Sequence, residues 1–153
     1  MVADFGCGPG FFTIPLAKVA AKVIGIDVSP RMLEKAAFYA SKSKVTVEFV
    51  KSDGTEISLA DESVGLILLN HVFHEVEDRQ GVLREFFRIM RPSGRLAIVE
   101  RTRGQGALSG KVGPPVLNEA EVIKELERAE FTFVETIPHG KDSIIIARKT
   151  SST

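Results

Sequence analysis

Asp4, Gly6, Gly8 and Gly10 alternate with other residues in the run DFGCGPGFF, close to the start of the chain. Glycine has no side chain to hold a ligand away and adopts left-handed backbone conformations freely, so three alternate glycines make a surface built for close approach. Where such a turn joins a strand to a helix, unpaired N–H groups and the partial positive charge of the helix end can seat an anion or lone pairs. The dinucleotide fingerprint G-x-G-x-x-G, counted from Gly6, needs a glycine where Phe11 stands. The phosphate-cradling G-x-x-x-x-G-K-S/T fails as well, because no Lys-Ser or Lys-Thr follows at that spacing. A nucleotide-like ligand remains, but a nucleoside triphosphate is disfavoured.

Other residues could complete such a site. Asp27 closes the apolar run VIGID, and Asp53 precedes Gly54. Carboxylates at such positions can accept from donors on a ligand, and charged hydrogen bonds contribute roughly 1.5 to 3 kcal/mol each. The alternatives are a strand-end or helix-capping aspartate at 27 and a simple turn aspartate at 53. Cys7 has no C-x-x-C partner or neighbouring base and reads as a small turn residue rather than a nucleophile. His71, His74 and Glu75 form HVFHE, yet two ligands three apart make a poor metal site and the order H-E-x-x-H is absent, so no metal is expected. Both histidines fall where a strand meets the ligand edge of a sheet. There one of them can contact substrate or accept a proton, or simply provide a polar lining.

The elements that must carry these residues alternate between short apolar strands and helical patterns, the sign of parallel β-α units. Residues 1–5 read as a first strand and Phe11 to Lys22 as a helix, with Pro15 tolerated in its first turn. Val23–Asp27 is a second strand. Ser29 and Pro30 then supply a cap and a first-turn proline to a helix whose Leu33, Ala36, Ala37 and Ala40 share a face. Val45–Lys51 and Leu66–Asn70 are the third and fourth strands. Asp78 caps a helix with Val82, Leu83, Phe86, Phe87 and Met90 on one face, ended by Pro92 and Gly94, and Leu96–Val99 is the fifth strand. Residues 101–115, rich in glycine and proline, read as a mobile loop. Asn118 to Glu121 has capping-box spacing before a helix buried through Val122, Ile123, Leu126 and Ala129. Phe131–Ile137 and Ser143–Arg148 flank a turn and pair antiparallel.

With 153 residues the chain makes one domain, 1–149, with a disordered tail at 150–153. Lys plus Arg and Asp plus Glu number 20 each, so no net field draws the molecule to nucleic acid or anionic lipid. One cysteine and no leader-like segment point to the cytoplasm, and no apolar stretch is long enough to span a bilayer.

VADFGCGPG resembles the first motif of the class I S-adenosylmethionine-dependent methyltransferases, with Asp4, Gly6, Gly8 and Gly10 on the family's D-x-G-x-G-x-G pattern. GIDVSPRML resembles the second motif and KSDGTEISLADES the third. LLNHVFHEVED and IMRPSGRLAIVE resemble the fourth-strand motif and the stretch leading into the fifth strand. The likeness extends over nearly the whole chain, and within the family it is most similar to small ubiquinone-biosynthesis-like and arsenite-methyltransferase-like enzymes. It implies a Rossmann-like, doubly wound α/β fold in three layers, its seven strands in the order 3-2-1-4-5-7-6 with the seventh antiparallel.

The resemblance implies S-adenosylmethionine as cofactor. Asp27 would hold the ribose diol, Asp53 beside Gly54 would meet the adenine amino group, and Asp4 would steady the turn near the methionine end. Further contacts are carried to Gly6, Cys7, Gly8 and Gly10, to Val28 and Met32 of the second motif, to Ser52, and to Asn70 and His71. His71 and His74 are the candidate catalytic residues. A sulfonium is already activated, so in-line positioning alone can supply roughly 7 to 11 kcal/mol and a base is optional. Methyltransferases of exocyclic base amines carry Asp or Asn-Pro-Pro-aromatic after the fourth strand. Asn70-His71-Val72-Phe73 stands here instead, so the expected acceptor is a small molecule and not nucleic acid.

Relatives also carry helices ahead of the first strand that cover the cofactor and help form the acceptor pocket, and the present sequence lacks them. Either residues 101–116 serve as the only lid, or part of the natural protein is missing. An open pocket rimmed by Phe11 and Phe12 could be closed by a second subunit in a homo-oligomer. Two rivals stay in view: a nicotinamide-dependent oxidoreductase, and a cofactor-binding module inactive without a partner or missing segment.

Overall fold

The computed structural model of the protein describes residues 1–103 and 115–151. Seven strands form one sheet: β1 (Val2–Phe5), β2 (Val23–Asp27), β3 (Glu48–Lys51), β4 (Val64–Asn70), β5 (Met90–Glu100), β6 (Phe131–His139) and β7 (Asp142–Lys149). In these labels the spatial order is 3-2-1-4-5-7-6, as expected. β1 to β5 run parallel, and β7 is antiparallel to both β5 and β6. Parallel strands buried on both faces need continuous apolar runs. Ala3 and Phe5 of β1 and Val23, Ile24 and Ile26 of β2 are buried accordingly.

Among the described residues four α-helices cover the sheet: α1 (Thr13–Ala17), α2 (Pro30–Lys42), α3 (Arg79–Ile89) and α4 (Glu119–Arg128). Neighbouring side chains on a strand face opposite sides. Asp4 meets Thr13 of α1, whereas the Phe5 ring packs edge-on against Phe86 of α3 at 5.0 Å, so α1 and α3 lie on opposite faces. This gives the three layers. Ser29, Asp78 and Asn118 cap α2, α3 and α4 through their side chains, accepting from Met32, Gly81 and Glu121 respectively.

Four local readings need correction. The first helix covers five residues instead of the whole of 11–22: Phe11 and Phe12 are exposed, and after Pro15 the Lys18 and Val19 N–H groups bond three residues back, tightening the chain into a turn. β3 starts at Glu48 rather than Val45. β5 begins at Met90, before Pro92 and Gly94, because Met90 pairs with Val64 and the ladder shifts register before Leu66 meets Arg95. At the loop expected over 101–115, Thr102–Arg103 and Leu117–Asn118 pair as a small parallel ladder, and residues 104–114 lie outside those described. Among the described residues no helix is long and apolar enough to cross a membrane.

Candidate functional site

The register levels one edge of the sheet. Phe5 lies beside Ile26 and Leu69, Asp27 beside Lys51, and Asn70 beside Val99. Gly6, Asp27, Ser52, Asn70 and Glu100 therefore emerge together at the carboxyl ends of five parallel strands. The chain turns away from β1 on one face and from β4 on the other, so a crevice opens between them, the usual ligand position in this architecture.

The glycine turn is locked from within. Gly6 and Cys7 both donate their N–H to the Ile26 carbonyl, at 2.8 and 3.0 Å. Gly8 donates to Asp27 Oδ2 at 2.9 Å, and Gly10 to the Cys7 carbonyl at 3.0 Å. These four N–H groups are thus committed, and Pro9 has none. Two glycines are required for different reasons. A Cβ on Gly6, at φ +72°, would overlap both γ-carbons of Val72, whereas one on Gly8, at φ +51°, would meet nothing within 4 Å. The first admits the loop after β4, and the second is required by its left-handed backbone alone.

Asp27 receives one backbone N–H on each oxygen, from Gly8 on Oδ2 and from Ser29 on Oδ1 at 2.9 Å. Each oxygen keeps lone-pair capacity for a further donor, which is what a diol presents. Asp4 is buried under the turn and accepts from the Thr13 hydroxyl at 2.7 Å. Burial pushes its carboxyl up to about 6; the Thr13 hydrogen bond works against this and the Asp27 charge adds to it. The Cys7 thiol is pushed up to about 12, mainly by burial and then by the charges of Asp4 and Asp27. Its sulfur lies against Gly25 of β2. The Cys7 side chain is thus packed under the turn, as a small turn residue would be.

After β3 the chain folds into a compact turn. The Ser52 hydroxyl donates to the Glu56 carbonyl at 2.5 Å and accepts from Gly54 N–H at 2.9 Å. Asp53 points outward, its Oδ1 accepting from the Thr55 hydroxyl and N–H, which hold the carboxyl below its ordinary range. Gly54, at φ +94°, is fixed by contact with Phe5. Arg88 of α3 secures the segment 57–61 by donating to the Ile57 and Leu59 carbonyls and to Glu85 and Asp61; its hydrogen bond holds the Glu85 carboxyl down.

Between this turn and the loop after β4 lies a cleft of about 480 Å³. Gly6, Asp27, Val28, Ser52 and Asp53 line it, as do Phe5, Thr55 and the valines at 72, 76 and 82. Glu75, Glu77 and Asp78 complete the wall, so five acidic residues and no lysine or arginine line it among the described residues. Asp4, Cys7, Gly8, Gly10, Met32, Gly54, Asn70, His71 and His74 are not on its wall. Most of these support the turns around it, and Met32 bonds its N–H to the Ser29 cap.

The two histidines gather beside the cleft, around a carboxylate that sequence reasoning missed. Glu100, at the end of β5, is wholly buried. It accepts from His74 N–H at 3.1 Å, and both of its oxygens lie 3.0 Å from His74 Nδ1. His71 leaves β4 at φ +55° and bonds Asp142 of β7 through Nε2 at 2.9 Å. No group of three or more His, Cys, Asp or Glu among the described residues is placed to hold a metal ion. Thr13 was missed as well. Only Glu100 carried a signal, an acidic residue ending the apolar run LAIV.

A family model described as a methyltransferase domain matches residues 3–98. The chain is 35% identical over 101 residues to an arsenite methyltransferase of Halobacterium salinarum, covering 63% of this chain and 26% of that protein. It is 30% identical over 91 residues to a ubiquinone biosynthesis O-methyltransferase of Cereibacter sphaeroides, covering 60% of this chain and 37% of that protein. The chain thus spans well under half the length of these relatives. A crystal structure of a [4+2]-cyclase, SpnF, superposes with TM-score 0.86 over 99% of this chain and 74% of that one, but at 19% identity the likeness is one of fold. The crystal structure of a SAM-dependent methyltransferase from Aquifex aeolicus superposes with TM-score 0.85 at 31% identity, over 96% of this chain and 80% of that one. Sequence, strand order and the crevice agree, and the chain belongs to the S-adenosylmethionine-dependent methyltransferases.

Proposed function

We propose that this chain binds S-adenosylmethionine in the cleft and transfers its methyl group to a small-molecule acceptor. The observation that carries the reading is the chemistry of the wall. Asp27 is fixed by two backbone N–H groups, five acidic residues and no lysine or arginine line the space, and the N–H groups of Gly6, Gly8 and Gly10 are already bonded. A cation-bearing nucleoside suits this wall better than a pyrophosphate, which favours the methyl donor over a nicotinamide dinucleotide. Asp27 would take the ribose hydroxyls, Asp53 and the valines the adenine, and the turn over Asp4 the methionine end. The methyl donor brings its own activation when bound, so the protein's part is to orient the acceptor and exclude water.

A small acceptor is supported by the two relatives, one named for arsenite and one for ubiquinone biosynthesis, and by the absence of net positive charge. A single cysteine, with no second one in the sequence to pair with, favours the cytoplasm. The exposed Phe11 and Phe12 leave a homo-oligomer as a further part of the reading. The test is calorimetric titration of the chain with S-adenosylmethionine, S-adenosylhomocysteine and NAD, beside Asp27→Ala. Binding of the first two, lost at least tenfold in the variant, is expected. Binding of NAD, or no binding of S-adenosylmethionine by the folded chain, would overturn the reading.

A further inference from the structure

The glycine turn has a second side. Gly6 lines the cleft, whereas Pro9, Gly10 and Phe11 line a groove of about 500 Å³ between α1 and α2, and the two cavities share no wall residue. Small residues set its floor: a Cβ on Gly10, at φ +97°, would stand 3.3 Å from Ile14 Cδ1 of α1 and 3.5 Å from Ala36 Cβ of α2. Its walls are apolar, with Pro15 on one side and the Tyr39 ring on the other. Phe11 is 83% exposed and Tyr39 48%, so two aromatic rings meet water in one concavity, the kind of surface that marks a binding site. Lys35 is the only charged residue on the wall among those described. The residues three and four positions from it on α2 are Arg31, Met32, Phe38 and Tyr39, none of them acidic. Among the described residues no carboxylate lies within ion-pair distance of Lys35, so its charge is left for an occupant.

We infer that this groove is a second binding site, separate from the cleft, and that it takes an aromatic monocarboxylate, its ring against Phe11, Pro15 and Tyr39 and its carboxylate on the Lys35 ammonium. The charge selects the occupant. A neutral or cationic ring would cover Lys35 without pairing it, and burial of an unpaired charge opposes binding. A phosphate needs several donors, yet the wall holds one ammonium, and the Gly10 N–H is already bonded to the Cys7 carbonyl at 3.0 Å. The volume falls within the roughly 300 to 1,000 Å³ usual for small-ligand sites. The occupant touches the turn at Pro9 and Gly10 while the cleft uses Gly6, so both spaces can be filled at once. The inference does not depend on the identity of the ligand in the cleft.

The probe is 2-naphthoate, with 2-naphthamide as its neutral counterpart, titrated by calorimetry and by proton NMR. Tyr39 is the only tyrosine of the chain, so its ring signals report on the groove. At low salt 2-naphthoate is expected to shift those signals and to bind about fivefold more tightly than the amide, and Lys35→Met to abolish the preference while leaving the affinity for the amide unchanged. Phe11→Ser, at a position too exposed to matter for folding, should weaken both probes about tenfold. No binding of 2-naphthoate by the folded chain, equal affinity for the two probes, a preference that survives in Lys35→Met, or binding that leaves the Tyr39 signals unmoved would overturn the site. So would a dimer, seen by sedimentation of the wild type and lost in Phe11→Ser, that excludes 2-naphthoate, because a second copy would then be the occupant. Competition between 2-naphthoate and S-adenosylmethionine would place the probe in the cleft and overturn the separation. The probes need no methyl donor, so a failure of the methyltransferase reading leaves this test intact.

Discussion

Asp4 carries a charge that opposes folding. Its carboxyl is buried beneath the turn with only the Thr13 hydroxyl as partner, and its ionisation moves from 3.8 up to about 6, chiefly through burial. An acid whose folded value is raised opposes folding when ionised. The cost is absent below 3.8, grows across the interval and is complete above about 6. At about 1.4 kcal/mol per pH unit it reaches about 3 kcal/mol. Asp4→Asn keeps an oxygen for Thr13 and removes the charge. Its stability relative to wild type is therefore expected to rise between about pH 4 and pH 6 and stay level above, as measured by denaturant unfolding at a series of pH values. A difference that is flat across that window would show that Asp4 is not ionising there. The acidic residues at 4, 27 and 53 were legible because their spacing from glycines can be read along the chain. Glu100 and Asp142 were not, since their partners lie 26 and 71 positions away and only the fold brings them together.

At the scale of elements, the glycine turn and α3 make separable contributions. Gly6→Ala forces a Cβ into Val72 at a left-handed φ, so both the loop after β4 and the cleft must shift. The expected loss is about 3 kcal/mol, combining strain with overpacking. Gly8→Ala meets open space and incurs only the left-handed cost of about 1 to 2 kcal/mol. If the methyl donor passes over Gly8, its affinity should nonetheless fall at least tenfold. Unfolding and calorimetry on the two variants separate these effects, and an unaltered affinity in Gly8→Ala would move the ligand away from that glycine. Arg88→Ala removes donors to two carbonyls and two carboxylates between α3 and the segment 57–61. A destabilisation of about 2 kcal/mol is expected, with faster amide exchange at Ile57. The caps of α2, α3 and α4 and the terminal hairpin were readable because each depends on residues a few positions apart. The short α1 was not: Pro15 is compatible with a first turn but does not say where the helix stops. The register shift at the start of β5 depends on Val64 meeting Met90, a pairing no local pattern contains.

Across the whole molecule the charges cancel, 20 against 20, yet five acidic residues line one cleft. Long-range steering of a ligand is therefore weak, and any charge recognition acts at short range within the cleft. S-adenosylmethionine carries a sulfonium that S-adenosylhomocysteine lacks, and the two are otherwise nearly the same shape. A cleft that reads this charge must hold the methyl donor more tightly at low salt and lose part of that preference as ions screen the carboxylates. Raising ionic strength from about 0.01 to 1 M shortens the screening length from about 30 to 3 Å, so exposed Asp53, Glu75 and Glu77 should be screened first and half-buried Asp27 last. Affinity for S-adenosylmethionine is expected to fall more steeply with salt than affinity for S-adenosylhomocysteine, and Glu75→Gln should flatten the first slope while leaving the second nearly unchanged. Calorimetric titrations of both ligands across that range decide it. Parallel slopes would mean that the acidic wall excludes phosphates without sensing the sulfonium, and that discrimination between donor and product is left to contacts of shape.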